Sequence, residues 1–231
     1  MSPDLISIIL PVYNQADHIS QVVREYETAL EKIPHPHELL LVVNGCRDRS
    51  LEVCQALAQQ YKPLQVVHSQ AGGWGLAVQL GLAKAQGNLL CYTNSARTSP
   101  QDLVLSLLYA SVYPTVVIKA NRKIRDSWWR RLGSLIYNLE CRALFDLPTW
   151  DINGTPKVFP RQFEKLLTLN QTHDLIDAEF AVLCRHEGYP MLEVPILSTR
   201  RHGGHSTTRI GSALKLYWGA YQLWRNWRKS R

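Results

Sequence analysis

Four short polar segments, each placed directly after an apolar run, carry the side chains best suited to ligand chemistry. The first is Pro11-Val12-Tyr13-Asn14-Gln15. An aromatic ring and an amide at a strand end can stack on a planar base and hydrogen-bond to it; the alternative is that Asn14 or Asp17 only caps the next helix. The second is Asn44-Gly45-Cys46-Arg47-Asp48-Arg49-Ser50, where Asn-Gly signals a tight turn and Ser50 can cap a helix. The third, Gly72-Gly73-Trp74-Gly75, opens a helix with glycines that permit close backbone approach to an anion at its N-terminus. It does not follow the dinucleotide spacing of glycines. The fourth is Asn94-Ser95-Ala96-Arg97.

The elements that must hold these segments alternate. Ser7–Val12, Leu39–Val43, Leu64–Val67 and Leu89–Tyr92 read as strands, separated by stretches with apolar residues at helical spacing, such as Ile19, Val22, Val23, Tyr26 and Leu30. Ser99-Pro100-Gln101-Asp102 has the chemistry of a helix start: a hydroxyl cap, proline in the first turn and an acid at the third position. Four strand–helix units in the first half predict an α/β fold with a mostly parallel sheet flanked by helices. Ligands of such sheets bind outside the carboxyl ends of the strands, where the four segments lie. The second half is less regular. Thr115–Ala120 reads as a strand, Trp128–Phe145 as a helix, Ile152–Phe159 as an edge or bulged strand, Asp177–Glu187 as a helix and Met191–Leu197 as a last strand.

Composition sets the outer bounds. The 231 residues are 45% hydrophobic and 19% charged, enough apolar material for one proper core. The formal charge is +7, but Arg200–Arg231 holds eight basic residues and no acid, so the preceding chain sums to about −1. Five dispersed cysteines form no Cys-x-x-Cys pair, which argues against zinc and redox motifs and for core thiols. No secretory leader is visible, and the apolar uncharged run Leu103–Ile118 contains Pro114 and is short for a membrane span. The expectation is a soluble, cytoplasmic protein with one domain over residues 1–210 and a basic, aromatic, amphipathic helix over 211–231. Leu214, Tyr217, Tyr221 and Trp224 fall at helical spacing there, among Lys215, Arg225, Arg228 and Lys229. That helix suits an anionic membrane interface at the inner face; docking on the core or on another subunit is the alternative. No nucleic-acid module fits it.

Taken in order, the segments resemble family-2 glycosyltransferases of the GT-A (Rossmann-like) fold, closest to the branch with dolichol-phosphate mannosyltransferase. The likeness rests on Ser7-Ile-Ile-Leu-Pro-Val-Tyr-Asn14, Asn44-Gly-Cys-Arg-Asp-Arg-Ser50, Gly73-Trp-Gly75 and Asn94-Ser-Ala-Arg-Thr-Ser-Pro100. It continues through Asp151-Ile-Asn-Gly-Thr-Pro-Lys-Val-Phe-Pro-Arg161, Asp177-Ala-Glu179, Glu193-Val-Pro195 and Arg201-His-Gly-Gly-His-Ser206. The resemblance implies a nucleotide-sugar or sugar-phosphate donor bound by Pro11, Tyr13, Asn14, Asn44, Gly73, Gly75 and Asn94, with Arg200, Arg201 and His202 in a flexible donor lid. It implies Arg122, Arg130 and Ser134 as ligands of an acceptor phosphate carried by a polyprenyl lipid. A hydroxyl acceptor would instead need Asp151, Asp177 or Glu179 as a general base.

The departures bear on the chemistry. The family's metal-binding Asp-x-Asp is Asn94 and Ala96 here, the acid facing the donor base is Asn44, and the lysine between the glycines is Trp74. No divalent-metal cofactor is therefore expected, because an amide and a methyl offer no anionic oxygen. Arg97 and the arginines of the lid would then meet the leaving diphosphate with bidentate guanidinium groups. A non-catalytic nucleotide- or sugar-phosphate-binding domain at a membrane surface is the competing reading.

Overall fold

The computed structural model describes residues 4–122, 128–196 and 210–229, with side chains except at 128–131 and 210–214. Strands β1 (Ile6–Val12), β2 (His37–Asn44), β3 (Leu64–Ser69) and β4 (Leu89–Tyr92) alternate with helices α1 (Ile19–Leu30), α2 (Ser50–Gln60) and α3 (Trp74–Lys84). Then follow α4 (Pro100–Val112), β5 (Val117–Arg122), α5 (Trp128–Phe145), β6 (Lys157–Pro160), a 3-10 turn at Glu164–Leu167, α6 (Ile176–His186), β7 (Met191–Ile196) and α7 (Ile210–Lys229).

The seven strands form one sheet in the order β3-β2-β1-β4-β6-β5-β7. All pairs are parallel except the two made by β6. The period of two in β1 and β2 divides the core. Ile6, Ile8, Leu10, Leu39, Leu41 and Val43 pack with α1, α2 and α4, while Ile9, Leu40 and Val42 pack with α3 and α6 on the opposite face. Full burial of each such side chain contributes about 1.5–3 kcal/mol, which fixes the strand register.

Two sequence expectations need correction. The segment expected as an edge or bulged strand is a four-residue strand, β6, in the middle of the sheet, antiparallel to both β4 and β5. All four of its residues are buried, Lys157 included, so its isolated charge disguised a central strand. The α1 start is capped by neither Asn14 nor Asp17: the Gln15 carbonyl accepts from His18 and Ile19 N–H. The start of α4 is as expected, since Ser99 Oγ accepts from Asp102 N–H at 3.1 Å and donates to the Asp102 carboxylate at 2.8 Å.

Helix α7 packs on α5 and α6. Ala220 is buried in a cluster with Tyr137, Cys141, Ala178 and Val182, and the Tyr217 hydroxyl donates to the Gly133 carbonyl at 2.7 Å. Among the described residues, no helix is long and apolar enough to cross a membrane.

Candidate functional site

The carboxyl ends of β1, β2 and β3 surround a cavity of about 430 Å³, lined by Tyr13, Gly45, Cys46, Arg47, His68, Ser69, Gln70 and Gly72. Its walls are tied together from below. Asn14, at φ 50°, accepts from Arg47 N–H at 2.8 Å, and its own N–H meets Cys46 Sγ at 3.3 Å. Asp48 accepts from Ala16 N–H and from the Ser50 hydroxyl, so the acid, not Ser50, caps the turn into α2. Burial pushes the Asp48 pKa up, but the Ser50 and Ala16 hydrogen bonds outweigh it and hold the carboxyl below its ordinary value. Asn44 is buried and donates from Nδ2 to the Gly73 carbonyl at 2.8 Å, linking β2 to the glycine loop. The Pro11 carbonyl accepts from Ser95 Oγ at 2.8 Å, fastening the β1 end to the segment after β4.

The glycine loop makes its close approach to the protein itself. A Cβ on Gly73 (φ 142°) would stand 2.5 Å from the Thr172 carbonyl oxygen, and one on Gly75 would strike the Gln171 carbonyl. Leu76 N–H donates to Thr172 O at 2.8 Å. The side of these two Cα atoms where a Cβ would stand is therefore filled by residues 171–173. Glu179 holds that loop, accepting from Asn170 N–H at 3.0 Å and Gln171 N–H at 2.8 Å.

Beneath the central strand ends lies a layer of buried charge. Because β6 runs antiparallel, its first residue, Lys157, stands in register with Tyr92 of β4 and Lys119 of β5. Both lysines are wholly buried. The Lys157 ammonium pairs with Asp177, which also accepts from the Tyr92 hydroxyl at 3.0 Å and from Trp74 Nε1 at 3.1 Å. Burial pulls the Lys157 pKa down to about 8, against the opposing attraction of Asp177. Lys119 pairs with Glu193 at 2.7 Å; burial lowers its pKa as well. Glu193 also accepts from Thr149 Oγ1, from Asn121 Nδ2 at 3.0 Å and from Trp150 N–H at 3.0 Å, so it sets the loop leading to Asp151. Although burial acts to raise it, the Lys119 ammonium keeps the Glu193 pKa below its ordinary value.

Asp151 and Arg122 are brought together. Arg122 Nε and Nη2 reach the two carboxylate oxygens at 2.7 Å each, and Arg122 N–H adds a third bond at 3.0 Å. This bidentate fork fixes the guanidinium at the carboxyl end of β5. Ser134 is partly buried on α5; the Arg130 side chain and residues 200, 201 and 202 lie outside the described parts.

At the fourth segment, Asn94 Oδ1 accepts from Ala96 N–H at 3.0 Å, the Ala96 methyl is buried, and the Asn94 carbonyl accepts from Arg97 and Thr98 N–H. Arg97 is partly buried. An amide oxygen already engaged and a methyl do not fit a divalent cation at this position. Among the described residues, no group of three His, Cys, Asp or Glu is placed to hold a metal ion.

Sequence reasoning about the site missed the buried ion pairs of Lys119 and Lys157 and the place of His68 and Gln70 in the cavity wall. The available signal was a lysine directly following the apolar run Val116–Ile118 and another directly preceding Val158-Phe159, placements that require a buried partner.

Residues 7–168 match the family model "Glycosyl transferase family 2", and the chain belongs to that family. It is 32% identical over 141 residues to an undecaprenyl-phosphate 4-deoxy-4-formamido-L-arabinose transferase of Pseudomonas paraeruginosa, covering 59% of this chain and 41% of the relative. The enzyme of the same description from Sodalis glossinidius is 24% identical over 89% of this chain and 63% of its own length. The chain thus spans only about two fifths of the first of these relatives. Among solved structures, mannosyl-3-phosphoglycerate synthase from Rubrobacter xylanophilus superposes with a TM-score of 0.74 at 19% identity, over 98% of this chain and 74% of that one. Glucosyl-3-phosphoglycerate synthase from Mycobacterium tuberculosis, solved with Mn2+, UDP and phosphoglyceric acid, gives 0.72 at 16% identity, over 96% and 78%. The fold is GT-A.

Proposed function

We propose that this family-2 chain transfers a sugar from a nucleotide-linked donor to the phosphate of a polyprenyl-phosphate lipid, at the inner face of a membrane. The observation that carries this reading is the state of the three candidate carboxylates. Asp177 is bound by Lys157, Tyr92 and Trp74, Glu179 by two backbone N–H groups, and Asp151 by the Arg122 fork. A hydroxyl acceptor needs a carboxylate ready to take a proton as the bond forms; an acceptor phosphate is already an anion and needs none. The names of the Pseudomonas and Sodalis relatives supply an acceptor of that chemistry.

In this reading the donor's nucleoside occupies the cavity of Tyr13, Arg47, His68 and Gln70. Arg122, with Arg130 and Ser134, is assigned to the acceptor phosphate. A phosphate oxygen attacks the anomeric carbon, the bond from that carbon to the diphosphate oxygen breaks, and the nucleoside diphosphate leaves with the electron pair. Because residues 94–96 lack an anionic oxygen, the leaving charge is met by Arg97 and the arginines of 200–209.

The test is release of nucleoside diphosphate from a panel of nucleotide sugars with polyprenyl phosphate or polyprenol as acceptor, with and without EDTA. Release that requires the phosphate and persists in EDTA is the expected result. Turnover with polyprenol alone, loss of turnover in EDTA, or no turnover of any donor would overturn the corresponding part. Nucleotide binding without turnover would favour the non-catalytic reading, which the Asn94–Ala96 substitution motivates.

A further inference from the structure

In the displacement proposed above the donor sugar has to lie between the nucleoside and the acceptor phosphate, because the attacking and leaving oxygens flank its anomeric carbon. Trp74 and the turn into α6 lie between those two places. Gly72, on the wall of the cavity, leads through Gly73 to Trp74, the first residue of α3. The indole Nε1 donates to Asp177 at 3.1 Å, the ring meets Tyr92 edge-on with centroids 6.3 Å apart, and part of the side chain stays open to solvent. Asp177 reaches on toward the acceptor side. Burial acts to lower the Arg122 pKa, but Asp151 and, behind it, Asp177 hold it above its ordinary value.

The loop 171–174 stands beside this indole on a fixed backbone. Gln79 Nε2 donates to the Gln171 carbonyl at 3.2 Å, Leu76 N–H donates to the Thr172 carbonyl at 2.8 Å, and Glu179 accepts from Gln171 N–H. Thr172, His173 and Asp174 are nonetheless exposed. An aromatic surface beside a carboxylate and a hydroxyl suits a sugar: the ring covers C–H edges while the polar groups meet hydroxyls. Charge argues against a phosphate at this spot, since Asp174 and Asp177 would repel it. We propose that Trp74, Thr172, His173 and Asp174 form the subsite for the donor sugar, with the indole against its ring and Asp174 accepting from its hydroxyls. The proposal rests on the nucleotide-linked donor and deepens that reading, because it names the residues that tell one sugar from another.

Calorimetric titration of the full chain with UDP-glucose against UDP, and with GDP-mannose against GDP, tests this. For the pair that binds, Trp74→Ala and Asp174→Ala are each expected to weaken the sugar-bearing nucleotide by about tenfold. Both should leave the matching diphosphate within about twofold, a difference that a merely structural role would not produce. Trp74→Phe keeps a ring and should recover most of the loss. Should Trp74→Ala prevent folding, Asp174→Ala with Thr172→Ala, both at exposed positions, carries the same reading. Equal weakening of both nucleotides, or unchanged binding of both, overturns the subsite and leaves the donor reading standing. Binding of no nucleotide from either pair overturns the donor reading, and the subsite with it.

Discussion

At the scale of residues, the buried charges beneath the strand ends have the sharpest consequences. Lys157 and Asp177 are each nearly or fully excluded from water, so the pair resists loss of either partner more than loss of both. Lys157→Met is expected to destabilise by about 3–5 kcal/mol in urea unfolding, and Lys157→Met with Asp177→Asn by clearly less. The lowered Lys157 pKa also has a signature with pH. Between about 8 and the ordinary 10.5 the unfolded chain holds more protons than the folded one, so this group's contribution to stability rises with pH across that window. Unfolding midpoints measured at pH 7.5 and 10 should show the rise in the wild type relative to Lys157→Met. Arg122→Lys keeps the charge and loses the fork on Asp151; in the proposed reaction it is expected to raise KM for the lipid phosphate more than it lowers kcat.

At the scale of elements, caps and close approaches decide local order. Ser99→Ala removes the α4 cap and should cost about 1 kcal/mol in denaturant unfolding. Gly75→Ala places a methyl against the Gln171 carbonyl, which cannot recede while Glu179 grips the neighbouring N–H groups. A lower thermal midpoint is expected, by about 1–3 kcal/mol of stability. The apolar runs of β1 and β2, the helical spacing in α1 and the start of α4 were legible because each is set within a few residues. The place of β6 was not, because a four-residue strand carries little periodicity and its position in the sheet depends on β4 and β5. The contact of the glycine loop with residues 171–173 was not legible either: glycines reveal a close approach but not what approaches.

At the scale of the whole molecule, α7 reads in sequence as an appended basic helix, and in the fold it covers Tyr137, Ala178 and Val182. Ending the chain at residue 211 is therefore expected to destabilise the rest by at least about 3 kcal/mol, since several large side chains lose their cover. Calorimetry of the shortened chain checks this; an unchanged midpoint would make α7 a separable appendage.

The order of motifs, the α/β alternation and the altered residues at 44, 74, 94 and 96 could all be read from the chain, because local spacing and residue chemistry suffice for each. Which charges meet could not. Lys119 and Glu193 are 74 residues apart, and Trp74 and Asp177 are 103 apart. Such pairs exist only once strand order and direction are set, and those come from packing of both sheet faces at once rather than from any short stretch of sequence. Tertiary structure thus decided that the candidate carboxylates are already engaged, and the proposed anionic acceptor rests on that engagement.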